Sequence, residues 1–162
     1  MGMERVQECF EASYRRLVGQ LYAVCGDLAE AEEVVAEAFV RAAARPAVFD
    51  RVDNPEAWLR TVAVNVARTR HRRRTVGARL GVTEAPPARH PDLSTERLAL
   101  VAALRELPTA QREALALHYL ADLPVQEVAR TVGVPIGTVK ARLSRGRTAL
   151  AALLAREEET HA

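Results

Sequence analysis

The chain has 162 residues, enough for one medium domain or two of roughly 60–80 residues each. Thirty residues are Ala and 22 are Arg, against one Lys (Lys140), one Ile (Ile136) and 4% aromatics, a helix-forming vocabulary that argues against an all-β fold. A formal net charge of +2 leaves partners open, but no apolar run is long enough to span a bilayer and the first ten residues, with Glu4 and Glu8, do not form a signal peptide.

Apolar residues at Val6, Phe10, Tyr14, Leu17, Val18, Leu21 and Val24 keep helical spacing. Gly26 is placed to end that helix and Asp27 to cap the next. Residues 28–44 predict a second helix with Ala31, Val34, Val35, Ala38, Phe39 and Ala42 as its apolar stripe. Arg45-Pro46 stops it, and residues 46–54 read as a loop. Pro55 opens a third helix carrying Trp58, Val62, Asn65 and Val66, which runs into an Arg-rich end, Arg68 to Arg74.

Residues 75–94, with Gly77, Gly81, Pro86, Pro87 and Pro91, read as a flexible linker. Helical periodicity resumes with Leu98, Val101, Ala102 and Leu104. Leu107-Pro108 breaks it before a helix over 109–121. A further short helix over 125–132 turns at Gly133 into a last helix, which starts at Pro135 and runs to about 156. The expected fold is therefore all-α. Two small helical domains, residues 1–74 and 95–162, flank the linker.

Charge is unevenly divided. Residues 1–57 hold six Arg against eleven Asp or Glu, whereas residues 58–91 hold eight Arg against one Glu. Residues 135–156 hold five basic residues and no acidic one. Two separate basic segments suit a polyanion. The stretch from Leu123 to Leu143 carries the marks of a helix-turn-helix. Ala129 is small where two helices cross, Gly133 makes the turn, and Val128, Val134, Val139 and Leu143 pack the second helix on the first. Its outer face shows Thr138, Lys140, Ala141, Arg142, Ser144, Arg145 and Arg147, a set suited to the major groove.

Chemistry is not evident elsewhere. Cys9 and Cys25 read as reduced thiols, and the four His are scattered without metal-ligand spacing. No nucleophile–base pair, paired carboxylates or phosphate loop stands out, so no enzyme, cofactor or metal is expected. His118 reads as a packed or capping histidine.

Three stretches together resemble a known family. They are Asp27 to Phe39, Pro55 to Ala67 with its Arg-rich continuation, and Leu104-Arg105-Glu106-Leu107-Pro108 with the helix-turn-helix through Arg147. Together they resemble regions 2 and 4 of group 4 (extracytoplasmic-function, ECF) sigma factors of bacterial RNA polymerase, with no room for a region 3 domain. Ala36, Ala43, Val64, Thr69 and Pro124 depart from that pattern, and Asp122 is expected to cap in place of the usual residue at 124.

The resemblance implies an activity: binding core RNA polymerase and directing promoter-specific initiation, with help in melting the −10 region. Glu33, Glu37 and Phe39 would meet the β′ clamp helices, and the β flap would be a second contact. The −10 element would fall to Phe49, Asn54, Trp58, Asn65, Arg68, Arg70, Arg72 and Arg73. The −35 element would fall to Thr138, Lys140, Ala141, Arg142, Ser144 and Arg145. An anti-sigma factor is a further partner the family allows, the setting would be cytoplasmic, and no membrane insertion is expected. The alternative reading is a helix-turn-helix regulator that binds operator DNA without polymerase.

Overall fold

A computed structural model describes residues 2–79 and 94–161, with side chains over 3–76 and 94–160. No strand occurs among the described residues. Helix α1 (Gly2–Cys25) as far as Tyr22, with α2 (Leu28–Ala44), α3 (Pro46–Asp50) and α4 (Pro55–Arg79), builds one compact unit. Helices α5 (Thr95–Arg105), α6 (Thr109–Leu115), α7 (Val125–Val132) and α8 (Ile136–His161), with a π-helical turn at Ala116–Leu120, build the other.

The first unit follows its periodicity. Gly26 takes φ +76° after α1, and the Asp27 carboxylate caps α2 by accepting from the Ala29 amide at 2.9 Å. Leu17 and Leu21 of α1, Val34 and Val35 of α2, Phe49 of α3 and Leu59 and Val64 of α4 are fully shielded from solvent. Each such side chain contributes about 1.5–3 kcal/mol of transfer free energy. A polar seam runs beside this core: the Arg60 Nε donates to Gln20 Oε1 at 2.9 Å, tying α4 to α1.

Two elements differ from expectation here. Residues 46–50 are a short helix instead of loop, because Pro46 presets the first turn and Phe49 swings into the core. Helix α4 continues to Arg79, past position 74, since a single Gly77 costs a helix only about 1 kcal/mol. Residues 80–93 of the expected linker lie outside the described residues.

The second unit holds the helix-turn-helix. Ser94 caps α5, which buries Val101, Ala103 and Leu104; Ala102, expected on the buried stripe, is exposed. With Ala at both positions, periodicity could not choose between them. The helix expected over 109–121 is α only to Leu115. It widens into a π-turn, closed by the Ala121 amide on the Ala116 carbonyl at 3.1 Å. His118 Nδ1 lies 2.7 Å from the Leu123 carbonyl, which fixes the descent into α7 as a capping histidine should. Asp122 caps nothing: it sits at φ 55°, and Pro124 stands at the N-cap of α7 with no side-chain cap bond. Gly133 at φ 72° makes the turn, its amide on the Ala129 carbonyl at 2.9 Å. Val128, Val139 and Leu143 are buried at the crossing.

Helix α8 also packs on α6, at Gly146. A β-carbon there would meet Leu115 Cδ1 at 2.9 Å and Gln111 Cβ at 3.4 Å, so glycine sets how closely the helices approach. We expect Gly146→Val to destabilise the second unit by about 1–3 kcal/mol, as overpacking does, although valine is the better helix former. Chemical denaturation followed by circular dichroism checks this; an unchanged midpoint would refute the close crossing.

Candidate nucleic-acid interface

The acidic and basic segments of the first unit meet each other. Glu30, one turn into α2, is 7% exposed and faces α4. The Arg74 guanidinium pairs with it: Nη2 donates to Oε1 at 2.7 Å, and Nη1 lies 2.6 Å from Oε2 as an ion-pair contact, Oε2 receiving no hydrogen bond. One turn further on, Arg70 pairs with Glu33. Burial raises the Glu30 carboxyl above its ordinary 4.5, with Arg74 opposing the rise. Thus Arg70 and Arg74 are partly committed within the unit, while Arg72 and Arg73 are exposed and Arg68 is half-exposed.

Beside these pairs lies a shallow pocket of about 350 Å³ between α2 and α4. It brings together four residues singled out by sequence, Glu37, Asn65, Arg70 and Arg73, with Arg41 and Thr69. Glu37 holds Arg41 at 3.2 Å, and Asn65 is exposed with its carbonyl accepting from the Thr69 hydroxyl at 3.1 Å. Phe39 is not on this surface. It is 6% exposed, covered by Phe10 at a ring distance of 5.2 Å and by Tyr14 at 6.3 Å. The expectation that Phe39 faces a partner is therefore corrected: Phe10, 45% exposed, is the aromatic that reaches solvent there.

A second patch forms around the start of α4. Phe49, expected to meet the −10 element, is wholly buried; its ring sits edge-on to Trp58 at 5.5 Å. A wholly buried aromatic ring gains more from the core than from solvent. Trp58 itself is half-buried. Asn54 is the N-cap of α4, Oδ1 accepting from the Ala57 amide at 3.1 Å. Arg51, Asp53 and Asn54 are exposed between α3 and α4. Sequence reading missed what holds this segment: Arg5 of α1 donates to the carbonyls of Phe49 (3.1 Å), Asp50 and Val52 (2.7 Å). Arg5 lies 44–47 residues away along the chain, and no local pattern announces the pairing.

In the second unit, the outer face of α8 matches expectation. Lys140, Ser144 and Arg145 are exposed, and Thr138, Ala141 and Arg142 half-exposed. No acidic side chain interrupts them along α8 up to position 156. Arg147 is held back, its Nη1 donating to the Tyr119 hydroxyl at 3.0 Å. Arg147 and Tyr119 line an apolar groove together with Leu104, Leu115, Leu150 and Leu154. Among the described residues no His/Cys/Asp/Glu cluster could hold a metal, and no helix is long and apolar enough to cross a membrane.

Comparison with known proteins gives these two faces a context. Residues 9–76 match the family model for sigma-70 region 2, and residues 97–150 the model for sigma-70 region 4. The chain is similar to the ECF RNA polymerase sigma factor EcfG of Rhodopseudomonas palustris, 35% identical over 135 residues, covering 80% of this chain and 74% of that one. It is also similar to the ECF RNA polymerase sigma factor SigW of Bacillus subtilis, 29% identical over 154 residues, covering 85% and 82%. Among solved structures it resembles the sigma factor RpoE from Bartonella quintana, seen in complex with the anti-sigma factor NepR. The TM-score is 0.76, with 29% identity and coverage of 92% of this chain and 96% of that one.

The Glu30 site predicts a pH signature. A carboxyl whose folded pKa lies above its unfolded 4.5 adds stability that is full below that value and lost as pH rises through the folded one. Glu30→Gln, which stays neutral and can still accept from Arg74, should flatten that fall when the two proteins' unfolding curves are compared across acidic pH. Identical pH profiles would rule out the assignment.

Proposed function

The chain belongs to the sigma-70 family as an ECF RNA polymerase sigma factor with regions 2 and 4, and from that premise we propose how its two faces divide promoter recognition. The carrying observation is the uninterrupted basic and small-residue face of α8, displayed by a helix-turn-helix whose turn at Gly133 and whose crossing residues Val128, Ala129, Val139 and Leu143 are in their expected places, with Val134 only half-buried.

The second unit reads the −35 element. Helix α8 lies in the major groove, where Arg142 and Lys140 meet base edges, Thr138, Ala141 and Ser144 sit close to them, and Arg145 takes a phosphate. The first unit takes the −10 element. Arg72 and Arg73 meet phosphates, which fix register without reading sequence. Arg68 and Asn65 adjoin them, and Arg70 joins when a phosphate displaces Glu33. A flipped base costs a few kcal/mol of stacking and needs a shaped recess. The segment 51–54, with Asn54 and the exposed edge of Trp58, supplies it, and Phe49 supports it from beneath.

Glu33 and Glu37 face core polymerase from α2, beside Phe10. An anti-sigma factor is a further partner on this reading, since the Bartonella quintana relative is solved with one. The cell interior is the setting this activity requires. A regulator that binds operator DNA without polymerase is not favoured, because it gives α1–α4, matched to region 2, no task.

Run-off transcription tests the whole. Added to bacterial core polymerase, the protein should start transcripts at a defined upstream sequence; no gain over core alone would refute the reading. Arg142→Ala should weaken −35 binding by about 1–3 kcal/mol and relax base preference at one position. If affinity and preference both hold in a competition assay, Arg142 does not read a base.

A further inference from the structure

Helix α3 is five residues long and ends without a glycine. Arg51 follows it in right-handed conformation at φ −90°, ψ −5°, and its amide reaches only the carbonyls of Val48 and Phe49. Among the described residues Asp122 is the only non-glycine at positive φ, so no left-handed cap closes this end. The last carbonyls of a helix need partners from elsewhere. The Phe49 carbonyl accepts from the Val52 amide at 3.1 Å, and Arg5 adds the rest: Nη1 donates to the Phe49 and Asp50 carbonyls and Nη2 to that of Val52 at 2.7 Å. The same guanidinium lies 5.8 Å from the centre of the Phe49 ring.

The segment is pinned at its other end by Asn54, whose Oδ1 caps α4. Between the two pins Arg51 and Asp53 point outward, exposed. The Arg5 contacts tie α1 to the last two carbonyls of α3 and to that of Val52 just beyond it. A planar fork with donors on both arms can hold carbonyls in two directions at once, which a lysine ammonium on a flexible stem does not do equally well.

We propose that Arg5 is the positioning residue for −10 base reading: by clamping the carbonyls of Phe49, Asp50 and Val52 it holds residues 51–54 in the one shape that receives a flipped base. This rests on the reading of that segment as the base recess. Arg5 touches no base. It acts through the segment, and its loss leaves Arg51, Asp53 and Asn54 in place but no longer preorganised. Charge-assisted bonds of this kind hold local structure strongly enough that losing them speeds local opening about ten-fold or more.

The test uses the full chain and its Arg5→Lys and Arg5→Gln variants. Hydrogen–deuterium exchange on the free proteins reads the clamp alone: amides of 51–54 should exchange about ten-fold faster or more in Arg5→Gln, with α2 and the body of α4 unchanged. Selection from DNA randomised upstream of a reporter transcript, with bacterial core polymerase, reads function. Wild type should enrich two separated elements. Arg5→Gln should flatten base preference at the downstream element by about five-fold or more, the low end of one base contact, and leave the upstream element unchanged. Arg5→Lys should fall between.

A variant that loses both preferences equally, or neither, overturns the proposal, as does unchanged exchange at 51–54. Failure of the wild-type protein to enrich any sequence would instead overturn the reading of the segment itself. Those two failures are distinguishable because the first leaves wild-type selection intact.

Discussion

A carboxylate that is 7% exposed needs a cation, and in this chain that requirement organises the first unit. Glu30 could not face α4 without Arg74, and Arg74 could not reach it unless α4 stayed helical beyond the last core residue. The arginine-rich end of α4 is therefore not a charged tail. It is a continuation of the helix docked on α2, and the docking sorts its cations. Arg70 and Arg74 turn inward to α2, while Arg72 and Arg73 stay exposed to solvent. Breaking one partner of such a pair strands the other, so the acid and the base are constrained together.

The second unit solves a different problem. It leaves one side of a long helix exposed while holding the other with few residues. Gly133 supplies the turn, Val128, Val139 and Leu143 the crossing, and Gly146 a second close approach on α6. The π-turn at Ala116–Leu120 lets α6 end where His118 can bond the Leu123 carbonyl. These contacts lie on one side of α8, so Lys140, Ser144 and Arg145 remain exposed on the other.

Much of this was legible in the sequence, and the rest was not for definable reasons. Apolar spacing identified the buried stripe of α2 residue by residue, and local chemistry identified Asp27, Gly26 and Gly133, because caps and turns act over a few positions. The outward face of α8 was readable since a helix displays its outward residues at fixed intervals. Spacing placed Phe39 on the buried stripe, and only the resemblance turned it toward a partner; Phe49 was misassigned because an aromatic in an expected loop does not announce which way it points, and neighbours distant in sequence decide. Asp122 was misassigned as a cap because its backbone turns left-handed. Arg5 and Glu30 were missed since their partners lie 44–47 and 44 residues away, and composition registers such charges only as regional sums.

The bond between Glu30 and Arg74 also sets an order of events during synthesis. Glu30 leaves the ribosome 44 residues ahead of the arginine that neutralises it. Until α4 has emerged almost to its end, α1, α2 and α3 hold an acid with no counter-ion at the place where they must close. Burying Glu30 as a paired carboxylate therefore has to wait until the basic helix has arrived.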